Sequence, residues 1–208
     1  MSYGTSESAG KTFLNFKIVT QENIDGKKVK VDPYFSINSR GEDDKFHVHE
    51  DRPQFVTGNL TKLKLGSFQW EEQDVNTVEL YLEDGDEIYN VDLRYNLMSR
   101  NIFNSLLSLD SFSEIKLSLY TNKKGYPAVG VEQGGTRADW KYKLEDLPAV
   151  KKVLVGKKEM PDSTELDEFY LGELQVLAEK LDSANPKGEQ SETATQDDKF
   201  GGDEDIPF

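Results

Sequence analysis

Between residues 116 and 143 the sequence sets cationic side chains beside aromatic rings. Lys116, Tyr120, Lys123, Lys124 and Tyr126 surround one predicted hairpin, and Arg137, Trp140, Lys141, Tyr142 and Lys143 follow a Gly134-Gly135 pair. Holding a nucleic-acid strand without sequence preference requires this combination: cations for successive phosphates and flat rings for unpaired bases, each stacked base contributing ~1–3 kcal/mol. Lys123, Lys124, Tyr126, Arg137 and Trp140 are the foremost candidates for contact, with Lys116, Tyr120, Lys141 and Lys143 around them. Lys62, Lys64 and Trp70 form a second, sparser set, and Lys151, Lys152, Lys157 and Lys158 read as a solvated basic stretch.

The whole chain, with a net charge of −14, argues against a polyanion partner. The distribution of that charge argues for one. Residues 94–158 carry 12 basic and 6 acidic side chains, whereas 1–93 carry 10 and 18, and the remainder is strongly acidic. A locally basic third within an acidic protein is the footprint of a surface that meets phosphates while other parts do something else.

Other chemistries find little support. With no cysteine there is no disulfide framework, thiolate metal site or cysteine nucleophile, and a reducing, cytoplasmic setting is expected. His47 and His49 alternate along a predicted strand and so share a face, but no third ligand stands at metal-binding spacing and there are only 2 histidines. No glycine loop ending in Gly-Lys-Ser/Thr, no nucleophile elbow and no distinctive carboxylate pair is present. The expectation is a non-enzymatic protein without metal or cofactor. A metal-dependent nucleic-acid enzyme is the weaker alternative.

These residues need a scaffold, and period-2 alternation supplies one: Leu14/Phe16/Ile18, Val29/Val31, Leu63/Leu65, Val78/Leu80/Leu82 and Ile115/Leu117/Leu119 predict half-buried antiparallel strands. Turns at Asp25-Gly26, Asp84-Gly85 and Lys124-Gly125 divide them into hairpins. One helix interrupts the strands, over 97–109, with Met98, Ile102, Leu106 and Leu109 on one stripe and Asn96 as its N-cap. The order predicts a mainly β domain, an antiparallel Greek-key barrel of oligonucleotide-binding (OB) type, over residues 12–158. An open antiparallel sandwich satisfies the same spacing.

Residues 1–11 are expected to be a flexible N-terminus without a signal peptide or membrane span. A C-terminal helix over 159–182, capped by Asp162 or Ser163, carries Leu166, Phe169, Tyr170, Leu174, Leu177 and Leu181. From 183 onward the composition turns polar and low in aliphatics, predicting a disordered linker with a reach of ~25 Å. Its end is different: Asp203, Glu204 and Asp205 precede Ile206, Pro207 and Phe208. Apolar residues at the end of a polar tail gain stability only in a partner's pocket, where the Phe208 ring and carboxylate anchor and the acids steer toward a basic rim.

This ending, GGDEDIPF after a low-complexity linker, resembles the C-terminal tip of bacterial and phage single-stranded DNA-binding proteins. The resemblance covers residues 201–208, with Gly58-Asn59-Leu60 as a faint echo in the core, and so implies a divergent, phage-type member. It implies an OB-fold core that coats single-stranded DNA, in some members as a homo-oligomer. It also implies a tip that recruits replication and repair proteins such as a polymerase, helicase, primase or exonuclease. The rival reading is an adaptor that uses the tip alone, without strong DNA binding.

Overall fold

The computed structural model describes residues 11–17, 21–24, 26–40, 46–48, 50–70, 73–155 and 158–185. Thirteen strands and two α-helices form in the order β1 (Lys11–Lys17), β2 (Gln21–Ile24), β3 (Lys27–Lys30), β4 (Tyr34–Arg40), β5 (Phe46–Val48), β6 (Phe55–Trp70), β7 (Gln73–Asp84), β8 (Glu87–Arg94), α1 (Leu97–Leu106), β9 (Ile115–Thr121), β10 (Pro127–Gln133), β11 (Thr136–Arg137), β12 (Lys151–Val155), β13 (Lys158–Asp162) and α2 (Thr164–Ala184). The main sheet has nine strands in the order β11-β10-β9-β6-β7-β8-β1-β4-β5. Its first six strands are antiparallel throughout; β1 then joins β8 in parallel, Leu14 lying opposite Val91, and β4 and β5 continue antiparallel. Two separate hairpins, β2–β3 and β12–β13, complete the strands.

The mainly β architecture, the helix between strands and the C-terminal helix are as the alternation predicts. The expected barrel closure is not found: among the described residues no ladder joins the two ends of the sheet. The physical reason lies at β8, whose outer edge is taken by β1 and is therefore not available to β10. The sheet still bends back on itself. Phe35 N donates to Pro53 O at 2.8 Å and Leu119 N to Gln54 O at 2.7 Å, so the segment entering β6 bridges β4 and β9. The predicted bounds also shift: Lys11 belongs to β1, 158–162 is a strand instead of the start of a helix, and α2 runs to Ala184, into the segment expected to be linker. None of the described helices is long and apolar enough to cross a membrane.

The core lies between one face of the sheet and the two helices. Leu60, Leu63, Val78, Leu80, Leu82, Val91, Leu93, Ile115, Leu117 and Leu119 point to it, met by Ile102, Phe103 and Leu106 of α1 and Leu166, Tyr170, Leu174, Leu177 and Leu181 of α2. Strand β6 serves two neighbours and carries a bulge between Leu60 and Lys62. A bulge shifts side-chain parity by one residue. Val56 and Leu60 face the core before it, Leu63 and the partly buried Leu65 after it, and the outer face runs from Phe55 through Thr57 to Lys62 and Lys64.

Helix α1 starts on a reciprocal cap: Asn96 Oδ1 accepts from Met98 N and Ser99 N, and Ser99 Oγ accepts from Asn96 N at 2.8 Å. Helix α2 begins differently. Ser163 holds the cap position, but its hydroxyl is engaged by Arg100 and Asp167, and the Asp162 carboxylate accepts from Thr164 N instead. Arg100 also grips Asp167 with Nε and Nη2, each at 2.9 Å, which locks the first turn of α2 to α1. Paired charges in this fork geometry are positioned as well as attracted.

Candidate nucleic-acid interface

Strand β9 has two opposite faces because alternation is strict along it: Ile115, Leu117 and Leu119 are buried, so Lys116, Ser118 and Tyr120 face outward. Register extends that face across four strands. Lys116 lies opposite Thr57 of β6 and Glu132 of β10, and Glu132 lies opposite Arg137 of β11. In the next row Ser118 lies between Phe55 and Gly130.

The floor of this surface is small and its walls are aromatic and cationic. Phe55 is 55 % exposed, with Lys116 Nζ 5.1 Å from its ring centre. Arg137 reaches across the Gly130 row, donating from Nη2 to Tyr120 Oη at 3.0 Å with its guanidinium 5.9 Å from that ring centre. A Cβ on Gly130 would stand 3.2 Å from Ser118 Oγ and 3.6 Å from Tyr120 Cε1, so any side chain there intrudes between the walls. Lys116 also pairs with Glu132 at 3.3 Å, a contact that a phosphate can replace.

The β9–β10 turn adds to one end. Asn122 Oδ1 accepts from Lys124 N at 2.9 Å and Tyr126 N at 3.1 Å, and Gly125, at φ +82°, takes the left-handed position the turn requires. The result is a rigid tip with Lys123, Lys124 and Tyr126 outward, Tyr126 being 65 % exposed. Cations, rings and a clear floor suit the backbone and bases of a single strand.

The remaining predicted residues lie elsewhere. After β11 the chain crosses to α1, where Asn104 bonds both the N–H and the carbonyl of Tyr142 at 2.9 Å and Ser108 Oγ donates to Asp139 O. Trp140, 46 % exposed, and Lys141 are therefore fixed beside the helices. Lys141 Nζ and Tyr142 Oη both donate to Glu173 Oε2, at 2.8 and 2.6 Å. These two bonds hold the Glu173 carboxyl below its usual range, and the Glu173 bond raises Lys141 above its own. Lys143 stands 4.0 Å from Glu145 on the surface. Lys62 and Lys64 occupy β6 beyond the bulge, opposite Tyr81 and Glu79, with Lys64 5.7 Å from the Tyr81 ring centre. Trp70 lies opposite Gln73 at the far end of that ladder. The single groove expected from 116–143 is thus two places, while Lys62 and Lys64 lie on the same outer face of β6 as Phe55, farther along the strand beyond the bulge.

Phe55 was not among the predicted residues. Its signal was parity: it stands out of phase with Val56 and Leu60, so a strand that buries those two must expose it. A cleft of ≈ 450 Å³ adjoins the surface, lined by Thr57, Glu83, Asp84, Glu114 and Lys116 among others, and its carboxylates set an electronegative border. Among the described residues no group of three or more His, Cys, Asp or Glu side chains could hold a metal; His49 and the tip, 203–208, lie outside them. No protein-family model, curated protein or solved structure matches this chain.

Proposed function

We propose that the chain is a non-enzymatic, sequence-independent single-stranded DNA-binding protein, coating single strands with the outer face of β6, β9, β10 and β11. The observation that carries this reading is the pairing of exposed Phe55 with Lys116 and of Tyr120 with Arg137 around the Ser118–Gly130 floor. The order β10-β9-β6-β7-β8, with α1 between β8 and β9, supports the OB-type interpretation, in which one sheet face and its loops take oligonucleotides. The tip, 203–208, then recruits replication or repair proteins through Phe208 while its acids steer.

Oligothymidine titration of the full chain at several salt concentrations tests the reading. Affinity that falls as salt rises is expected. No binding even at low salt would leave the adaptor, a reading favoured by the acidity of the whole chain.

A further inference from the structure

We propose that the β12–β13 hairpin is the resting platform of the chain's own tip, residues 203–208. The inference rests on the tip being a docking element and is independent of the DNA face. Among the described residues the hairpin pairs only with itself, and it stands outside the main sheet. A lone two-stranded hairpin is marginal in water, and this one exposes apolar side chains instead of burying them: Val153 is 38 %, Leu154 74 % and Met160 49 % exposed. Register sets Val153 opposite Met160 on one face, with Lys151 beside them, while Leu154 and Lys152 share the other. Each face thus offers an apolar spot next to a cation.

The tip has the complementary composition: three acids, Asp203, Glu204 and Asp205, directly before Ile206 and Phe208. The lysines already have carboxylate partners, Glu165 for Lys151 and Glu159 for Lys152 at 3.1 Å. All four groups are more than half exposed, and such surface pairs contribute little, so acids from the tip can replace them. Among the described residues no strand pairs with the outer edge of β12, which can take an extended segment, whereas β13 contains Pro161 and leads directly into α2. Reach is sufficient. Helix α2, 21 residues, spans ~32 Å from the hairpin to the start of the tail. A flexible chain as long as residues 186–202, which is what their composition predicts, would average ~23 Å end to end and could stretch to ~58 Å. A tether of this length gives the tip a local concentration of ~1 mM at the hairpin.

The consequence is a tip held in reserve, released when a partner's pocket outcompetes the hairpin. The chain has no cysteine, so Gly202→Cys carrying a nitroxide gives a single paramagnetic label in the full-length protein. Without DNA, amide signals of β12 and β13 should lose intensity, those of β9 and β10 should not, and adding oligothymidine should leave the pattern unchanged. Removing residues 206–208, or replacing Lys151 and Lys152 by Glu, should restore the hairpin signals. Loss on the β9–β10 face, no loss anywhere, or hairpin loss that survives the deletion would overturn the proposal. So would loss seen only when labelled and unlabelled chains are mixed, which would assign the contact to a second copy. Recruitment of a partner by the tip, measured separately by pull-down, does not depend on any of these results.

Discussion

Phe55, Lys116, Tyr120 and Arg137 divide the work of the proposed surface, and substitutions at them should separate its parts. Phe55→Ala or Tyr120→Ala should weaken oligothymidine binding ~5- to 150-fold, the equivalent of ~1–3 kcal/mol per stacked base. Thermal unfolding should hardly move for Phe55→Ala, since that ring is already 55 % exposed. Trp140→Ala should cost less affinity than either, because residues 140–142 are held against α1. Glu132 provides a test of opposite sign. Its carboxylate neutralises Lys116 at 3.3 Å, so Glu132→Gln should tighten binding and steepen the salt dependence. A competition assay in which Glu132→Gln binds more weakly than wild type would show that the pair organises the site instead of masking it. Gly130→Val sets a Cβ 3.2 Å from Ser118 Oγ, which must give way, and fills the floor between Tyr120 and Phe55, so it should weaken oligothymidine binding, with far-UV circular dichroism checking that the sheet is kept.

At the level of strands and helices, two contacts can be probed by stability. Asn96→Ala removes the cap that serves both Met98 N and Ser99 N and should cost ~1 kcal/mol, read as a lower denaturation midpoint with DNA affinity unchanged. Glu173 fastens residues 141–142 to α2, and its carboxyl is held below the usual range by Lys141 and Tyr142. A depressed carboxyl contributes stability that is present above its unfolded pKa and lost as pH falls through the lower folded value. Trp140 fluorescence, read in a Trp70→Phe background, should therefore change at acid pH, below the ordinary carboxylate range, and Glu173→Gln should abolish that transition.

Much of this level was legible beforehand. Asn96 as cap, the stripe through Ile102 and Leu106, the Asp84-Gly85 and Lys124-Gly125 turns and the outward phase of Lys116 and Tyr120 all follow from local rules. What was not legible is non-local. The parallel pairing of β1 with β8 joins residues more than 70 positions apart, and no periodicity reports which edge a strand will choose. The bulge at Leu60–Lys62 shifts the phase of β6 midway, so Phe55 and Lys64 share a face that a uniform alternation would not give them. The division of the basic residues 116–143 has the same origin: Asn104, on a helix dozens of residues away, captures Tyr142 and carries Trp140 with it.

For the molecule as a whole, a basic third within an acidic chain is the charge distribution that the two proposed functions would need, DNA at the sheet and protein partners at the tip. Removing residues 201–208 should leave oligothymidine affinity unchanged, because the proposed resting place of the tip, the β12–β13 hairpin, lies outside the β6–β9–β10–β11 face. Deleting Phe208 alone should abolish most partner recruitment in a pull-down with a tip-binding helicase or exonuclease, with DNA affinity retained.

The decisive measurement is fluorescence anisotropy of labelled oligothymidine with the full chain and with a Phe55→Ala/Tyr120→Ala double variant, each across a salt series. Wild type should bind with an affinity that falls as salt rises, and the double variant should lose affinity at every salt concentration while keeping a similar salt slope, since its cations remain. Equal affinities for the two proteins, or no binding by wild type at the lowest salt, would contradict the assignment of the β6–β9–β10–β11 face to single-stranded DNA.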